Sequence, residues 1–171
     1  FTRCIRCNVE LDEVHDPRSI RSRVPRAVFE LHEKFFTCPH CANFHQTVFG
    51  QLKKDYIDTG KVQFTMREVY FDRYGLWAAL IARCGGEMRY FGIHDILFEK
   101  QAEWAASEDP MKVVENLKTI GRTAGLDDAA MDVCLNDTAN AEALIKQFQT
   151  NMEADGVEGT PTLFINGAKH S

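Results

Sequence analysis

Apolar and polar positions divide the chain into a short strand, a helix, a second strand, a long helical block and a closing hairpin. Ala27-Val28-Phe29-Glu30-Leu31 is a brief apolar run that predicts a strand. Cys41, Phe44, His45, Val48, Phe49, Leu52 and Tyr56 then fall on one helical stripe, which Thr59-Gly60 ends. From Val62 to Tyr70 the pattern alternates, with Val62, Phe64 and Met66 on one face, and predicts the central strand. The crossover joining these parallel strands is expected to be right-handed.

The next eighty or so residues carry helical periods. Leu76, Ala79, Leu80 and Arg83 mark a helix closing at Gly85-Gly86, and Glu87 to Ala105 predicts another with Met88, Phe91, Ile96, Leu97 and Trp104 as its apolar positions. Asp109-Pro110, an N-cap followed by proline at the first helical position, opens a third that runs to Gly125. A short helix follows from Leu126-Asp127-Asp128 through Asn136, and a last one covers Thr138 to Ala154. Asn166-Gly167 supplies a tight turn, so Thr162 to Ile165 should pair with a strand beginning at Ala168.

The candidate chemistry lies where the first strand meets the first helix, at Phe36-Thr37-Cys38-Pro39-His40-Cys41. With Cys38 at the N-cap and Pro39 at the first position, Cys41 sits one turn along on the same face. A thiolate at Cys38 would accept hydrogen bonds from the N–H groups of His40 and Cys41, and would meet the positive end of the helix dipole. An imidazolium at His40 adds to the effect. Such surroundings lower a cysteine pKa, and the thiolate is the form that attacks disulfides. Cys41 would then be the resolving thiol.

Taken alone, the C-x-x-C is equally half a zinc site or a pair of buried thiols. A strand before it and a helix after it make the thioredoxin arrangement. The counterpart is Gly159-Thr160-Pro161-Thr162. There a cis-proline would open a strand facing the dithiol and bring the preceding backbone within reach of an extended peptide; an ordinary trans proline is the alternative.

Residues 36–170 resemble the DsbA-type bacterial thiol-disulfide oxidoreductases: Cys-Pro-His-Cys, its helix, a long helical insertion, Gly-Thr-Pro and Asn-Gly follow in the family's order. The resemblance implies an α/β thioredoxin fold with an inserted all-helical subdomain. Residues 27–70 and 155–171 would form the core. Residues 71–154 would form the insertion, its last helix packing on the core, and residues 1–26 a leader. It implies Cys38 as nucleophile, Cys41 as resolving thiol, His40 as stabiliser of the thiolate, Pro39 between the cysteines, and Thr160-Pro161 as the peptide-binding element.

The implied activity is donation of a disulfide to folding exported proteins, with no metal and no cofactor beyond the Cys38–Cys41 disulfide itself. Its partners would be polypeptides with free thiols and a membrane quinone-linked oxidase, in the periplasm. A more stable disulfide would make the same dithiol an isomerase or reductase. A non-enzymatic zinc module on Cys4, Cys7, Cys38 and Cys41 is the reading from another class. Cys84 and Cys134 are either buried small side chains or, as in some DsbA-like proteins, a structural disulfide of the helical insertion.

Composition narrows this further. The chain has 171 residues, 44% of them hydrophobic, which suits one core with an inserted subdomain. No apolar run reaches the roughly 18 residues of a membrane span. A net charge of -5 with scattered Lys and Arg argues against nucleic acid. Six cysteines point to an oxidising compartment. With no signal peptide ahead of Phe1, a mature or trimmed form is expected.

The leader holds a second C-x-x-C, Cys4-Ile5-Arg6-Cys7, and a polar arm from Asp16 to Arg23. The 30 residues between Cys7 and Cys38 exceed the roughly fifteen to twenty usual between zinc-ribbon pairs. His32-Glu33-Lys34 departs from the family's apolar strand end, and Glu30 lies two positions upstream of the acidic proton-relay site, so that role goes unassigned. The chain stops at Ser171, before the family's final helix, which predicts exposed apolar surface near Leu163 and Ile165.

Overall fold

The computed structural model describes residues 27–170, with side chains from Phe35 onward. The leader, with Cys4 and Cys7, lies outside the described residues. Strand β1 (Ala27–Lys34) pairs in parallel with β2 (Val62–Glu68), Ala27 opposite Val62 and Leu31 opposite Met66. On its other side β1 pairs antiparallel with β3 (Thr162–Ile165), which pairs antiparallel with β4 (Ala168–His170). The sheet order is β2-β1-β3-β4. The β3–β4 turn places Asn166 at φ 52° and Gly167 at φ 80°, left-handed values that asparagine and glycine tolerate.

One helical segment over residues 39–57 joins β1 to β2. Its α-helical turns α1 (Pro39–Phe44) and α2 (Gly50–Leu52) alternate with π-helical turns at His45–Phe49 and Lys53–Ile57. A π turn delays the return of the buried face, so the expected stripe holds only in part. Cys41, Ala42 and Phe49 are buried, while Val48 and Tyr56 are about half exposed, at 47% and 48%.

In β2 the buried residues are Thr65, Met66 and Glu68, so burial is not confined to the Val62-Phe64-Met66 face. Six helices separate β2 from the hairpin: α3 (Arg73–Cys84), α4 (Glu87–Glu99), α5 (Gln101–Trp104), α6 (Pro110–Thr123), α7 (Asp128–Leu135) and α8 (Thr138–Asp155). Asp72, Asp109, Asp127 and Asp137 cap α3, α6, α7 and α8 by accepting from backbone N–H groups.

The helix expected over Glu87 to Ala105 breaks at Lys100, and its inward face differs from the expected one. Leu97 and Trp104 are buried as expected and Phe91 and Ile96 half-buried, but Met88 is exposed, and Tyr90, Ile93, His94 and Phe98 are buried as well. The buried apolar ones join Phe36, Cys41 and the inward sides of α3 and α6 in the main apolar core. Helix α8 has no buried residue; it meets β2 and the turn after it through the Arg67–Asp155 ion pair and through Phe148 against Tyr70 and Phe71. Leu163 and Ile165 are half-buried on one face of β3, with Thr162 and Phe164 buried on the other. No helix among the described residues is long and apolar enough to cross a membrane.

Candidate active site

Cys38 caps α1 with extended backbone (φ -80°, ψ 118°), and Pro39 occupies the first helical position. No side-chain hydrogen bond caps this helix, so the expected acceptance from the His40 and Cys41 N–H groups is not made in the dithiol state. The Cys38 thiol instead donates to the Thr160 carbonyl at 3.6 Å. The physical reason is the proton: a neutral thiol is a donor and seeks an acceptor, whereas only a thiolate is a good acceptor for amides. The Thr160-Pro161 bond is cis, and Thr160 and Pro161 are half-buried beside the dithiol.

The two thiols differ in environment. Cys38 is partly accessible and Cys41 fully buried. Burial pushes the Cys41 thiol up to about 12, against opposing hydrogen bonds from the Phe35 backbone and the Thr160 side chain. Pro39 and His40 are exposed at the mouth of the site.

Two polar side chains hold the loop in front of α1. Gln101, buried in α5, donates through Nε2 to the Phe36 carbonyl at 2.7 Å and to the Cys38 carbonyl at 2.9 Å. The Thr37 hydroxyl donates to Asp72 at 2.6 Å, and Asp72 also caps α3 by accepting from Gly75 N–H at 2.7 Å. Where α3 passes Phe35, a Cβ on Gly75 would lie 2.5 Å from the ring, so a side chain there would push the helix off the dithiol loop. Sequence reasoning missed Gln101, for one glutamine in an apolar stretch carries no signal of which carbonyls it will meet.

The other end of α3 carries a second cysteine pair. Cys84 and Cys134 form a disulfide that ties α3 to α7. Beside it Arg83 pairs with buried Glu68 of β2 at 2.6 Å, and the Tyr70 and Tyr90 hydroxyls donate to the same carboxylate. Burial alone would raise the Glu68 pKa, but the Arg83 guanidinium and the two tyrosine hydroxyls hold the carboxyl below its usual range.

This geometry can be set beside known proteins. The thioredoxin family model matches residues 28–171, and the Mut7-C RNAse domain model matches residues 1–46. A Rickettsia typhi protein provisionally named a protein-disulfide oxidoreductase is 40% identical over 134 residues, which make up 78% of this chain and 48% of that protein. Disulfide bond formation protein D of Bacillus subtilis is 26% identical over 144 residues, covering 77% of this chain and 60% of its own. The chain thus spans about half the length of the Rickettsia relatives it matches. The crystal structure of Wolbachia pipientis alpha-DsbA1 superposes with a TM-score of 0.75 and 27% identity, over 82% of this chain and 69% of that one. The chain belongs to the thioredoxin family as a DsbA-type member.

Proposed function

We propose that this chain is a thiol-disulfide oxidoreductase that donates its Cys38–Cys41 disulfide to exported polypeptides with free thiols. The observation that carries the reading is the asymmetry of the pair: one sulfur reachable beside the Thr160 carbonyl, the other buried with a raised pKa.

A substrate thiolate attacks Cys38 Sγ, the Cys38–Cys41 bond breaks, and the electron pair leaves on Cys41 Sγ, which takes up a proton because burial disfavours its charge. A second substrate thiolate then attacks the substrate sulfur of the mixed disulfide and expels Cys38 as thiolate. Two substrate thiols become one disulfide, and the enzyme is left as the dithiol. On ionising, Cys38 no longer donates to Thr160 and can turn to the N–H groups at the start of α1, with exposed His40 adding positive charge when protonated. The Thr160-Pro161 backbone beside the dithiol is suited to hold an extended peptide. Residues 27–70 and 155–171 act as the catalytic core and residues 71–154 as its helical cover. Reoxidation by a membrane quinone-linked oxidase in the periplasm completes the cycle.

The test is the equilibrium of the Cys38–Cys41 pair against glutathione buffers, in a variant carrying Cys4→Ser and Cys7→Ser. A couple clearly more oxidising than glutathione is expected. One near that of thioredoxin would reassign the protein as a reductase or isomerase.

A second reading is favoured by one observation: the segment that matches the Mut7-C RNAse domain, residues 1–46, contains both C-x-x-C pairs. In this reading Cys4, Cys7, Cys38 and Cys41 hold one structural zinc as four thiolates, and the dithiol carries no redox activity. About one zinc per chain, released by a thiol-modifying reagent, would establish it; zinc-free protein purified without chelator would remove it.

A further inference from the structure

The π turn His45–Phe49 carries His45 against α4, where it meets His94 and Asp95. His94 is fully buried, and the His45 side chain is 10% exposed. Asp95 Oδ1 lies 3.1 Å from His45 Nε2 and 3.9 Å from His94 Nδ1, and one ligand atom from each of the three residues falls within 4.8 Å of the others. His45 thus pairs with the Asp95 carboxylate across the two helices, and His94 stands beside them. Phe98 and Phe49 stack on His45 and fix its plane.

We infer that His45, His94 and Asp95 form a binding site for a zinc-like divalent cation, separate from the dithiol and sharing its helix. The donor set, two imidazole nitrogens and one carboxylate oxygen, is one that borderline cations favour over hard ones such as magnesium or calcium. Tetrahedral zinc with bonds of about 2.0–2.1 Å needs its ligand atoms about 3.3–3.5 Å apart. The two Asp95 distances bracket that value, and the three ligand atoms, now within 4.8 Å of one another, would draw together on an ion. Asp95 also lines a cleft of about 190 Å³ with Phe49, Lys53, Phe64 and Phe91. The π turn is the second pointer, for such insertions occur where a helix must aim a functional side chain. A cation here would clamp the dithiol helix to α4.

The experiment uses the full chain with Cys4→Ser and Cys7→Ser and with Cys38–Cys41 oxidised, so that no thiolate competes for metal. It is titrated with Co2+ for its d–d absorption and with Zn2+ for its thermal midpoint. One equivalent of Co2+ with a tetrahedral spectrum is expected, together with a rise in the midpoint on adding Zn2+. Asp95→Asn, at a half-exposed position, should fold and weaken both responses at least tenfold, and His45→Gln should do the same. No Zn2+-dependent shift in the parent, or an equal shift in Asp95→Asn, would overturn the site. A bare imidazolium–carboxylate pair gives that negative result.

Discussion

The two cysteine pairs among the described residues use the same atoms for opposite ends. Cys38 and Cys41 stand three positions apart on one helix start, where local backbone geometry alone brings them together. Cys84 and Cys134 are separated by 50 positions and meet only because α3 and α7 pack side by side. Helix α3 spans both: its cap Asp72 holds Thr37 in front of the dithiol, and its last turn carries Arg83 and Cys84. A pair made by local geometry can open and close without refolding, whereas a pair made by tertiary packing restrains the unfolded chain and is best left closed.

The largest expected effect separates them by function. Cys38→Ser should reduce disulfide exchange to the uncatalysed background, measured by oxidation of a thiol peptide, while Cys84→Ala with Cys134→Ala should leave most of that activity. Equal losses in the two variants would break the comparison.

The second effect runs the other way. Removing Cys84–Cys134 should cost about 4 kcal/mol in the chain-entropy account of a loop of 50 residues, read by denaturant unfolding under non-reducing conditions. Cys38→Ser should cost far less, since its loop is too short to restrain the unfolded chain.

Glu68 tests what else secures that end of α3. Its pKa is lower folded than unfolded, so its contribution is complete above the ordinary glutamate value of 4.5 and is lost as pH falls through the lowered folded value. Glu68→Gln should lose about 3 kcal/mol at pH 7, the lower end for a buried pair because the Arg83 side chain is 37% exposed, and should flatten the acid limb of a stability–pH curve. An unchanged acid limb would show that other carboxylates govern it.

The smallest effect is at Gln101. Gln101→Ala leaves the Phe36 and Cys38 carbonyls without that donor and should cost about 2 kcal/mol. If Gln101 positions the dithiol, the pH profile of Cys38 alkylation will move as well; a purely structural role would leave that profile in place.

Much of this frame was legible along the chain. The strand, the dithiol at a helix start, the Asp109-Pro110 start of α6 and the Asn166-Gly167 turn are local signals, each spanning a few residues whose backbone preferences decide the outcome. The inward faces were less legible. Two π turns shifted the phase of the dithiol helix, and the break at Lys100 followed packing that no period records. Glu68 and His94 were passed over because a charged or polar residue inside an element reads as solvent-facing until its partners are known.

The sequence by itself determined that Cys38 and Cys41 share one helix start, that a strand and a hairpin flank them, and that Pro161 stands at the head of the last strand pair. These follow from short-range sterics and hydrogen bonding, which act within a few residues. Only the tertiary structure decided that the Cys38 thiol meets the Thr160 carbonyl, that Gln101 holds the loop, that Glu68 pairs with Arg83, and that His45, His94 and Asp95 converge. Each of those contacts joins residues from different elements, and their meeting is fixed by how the helices bury their apolar faces, a property of the packed whole.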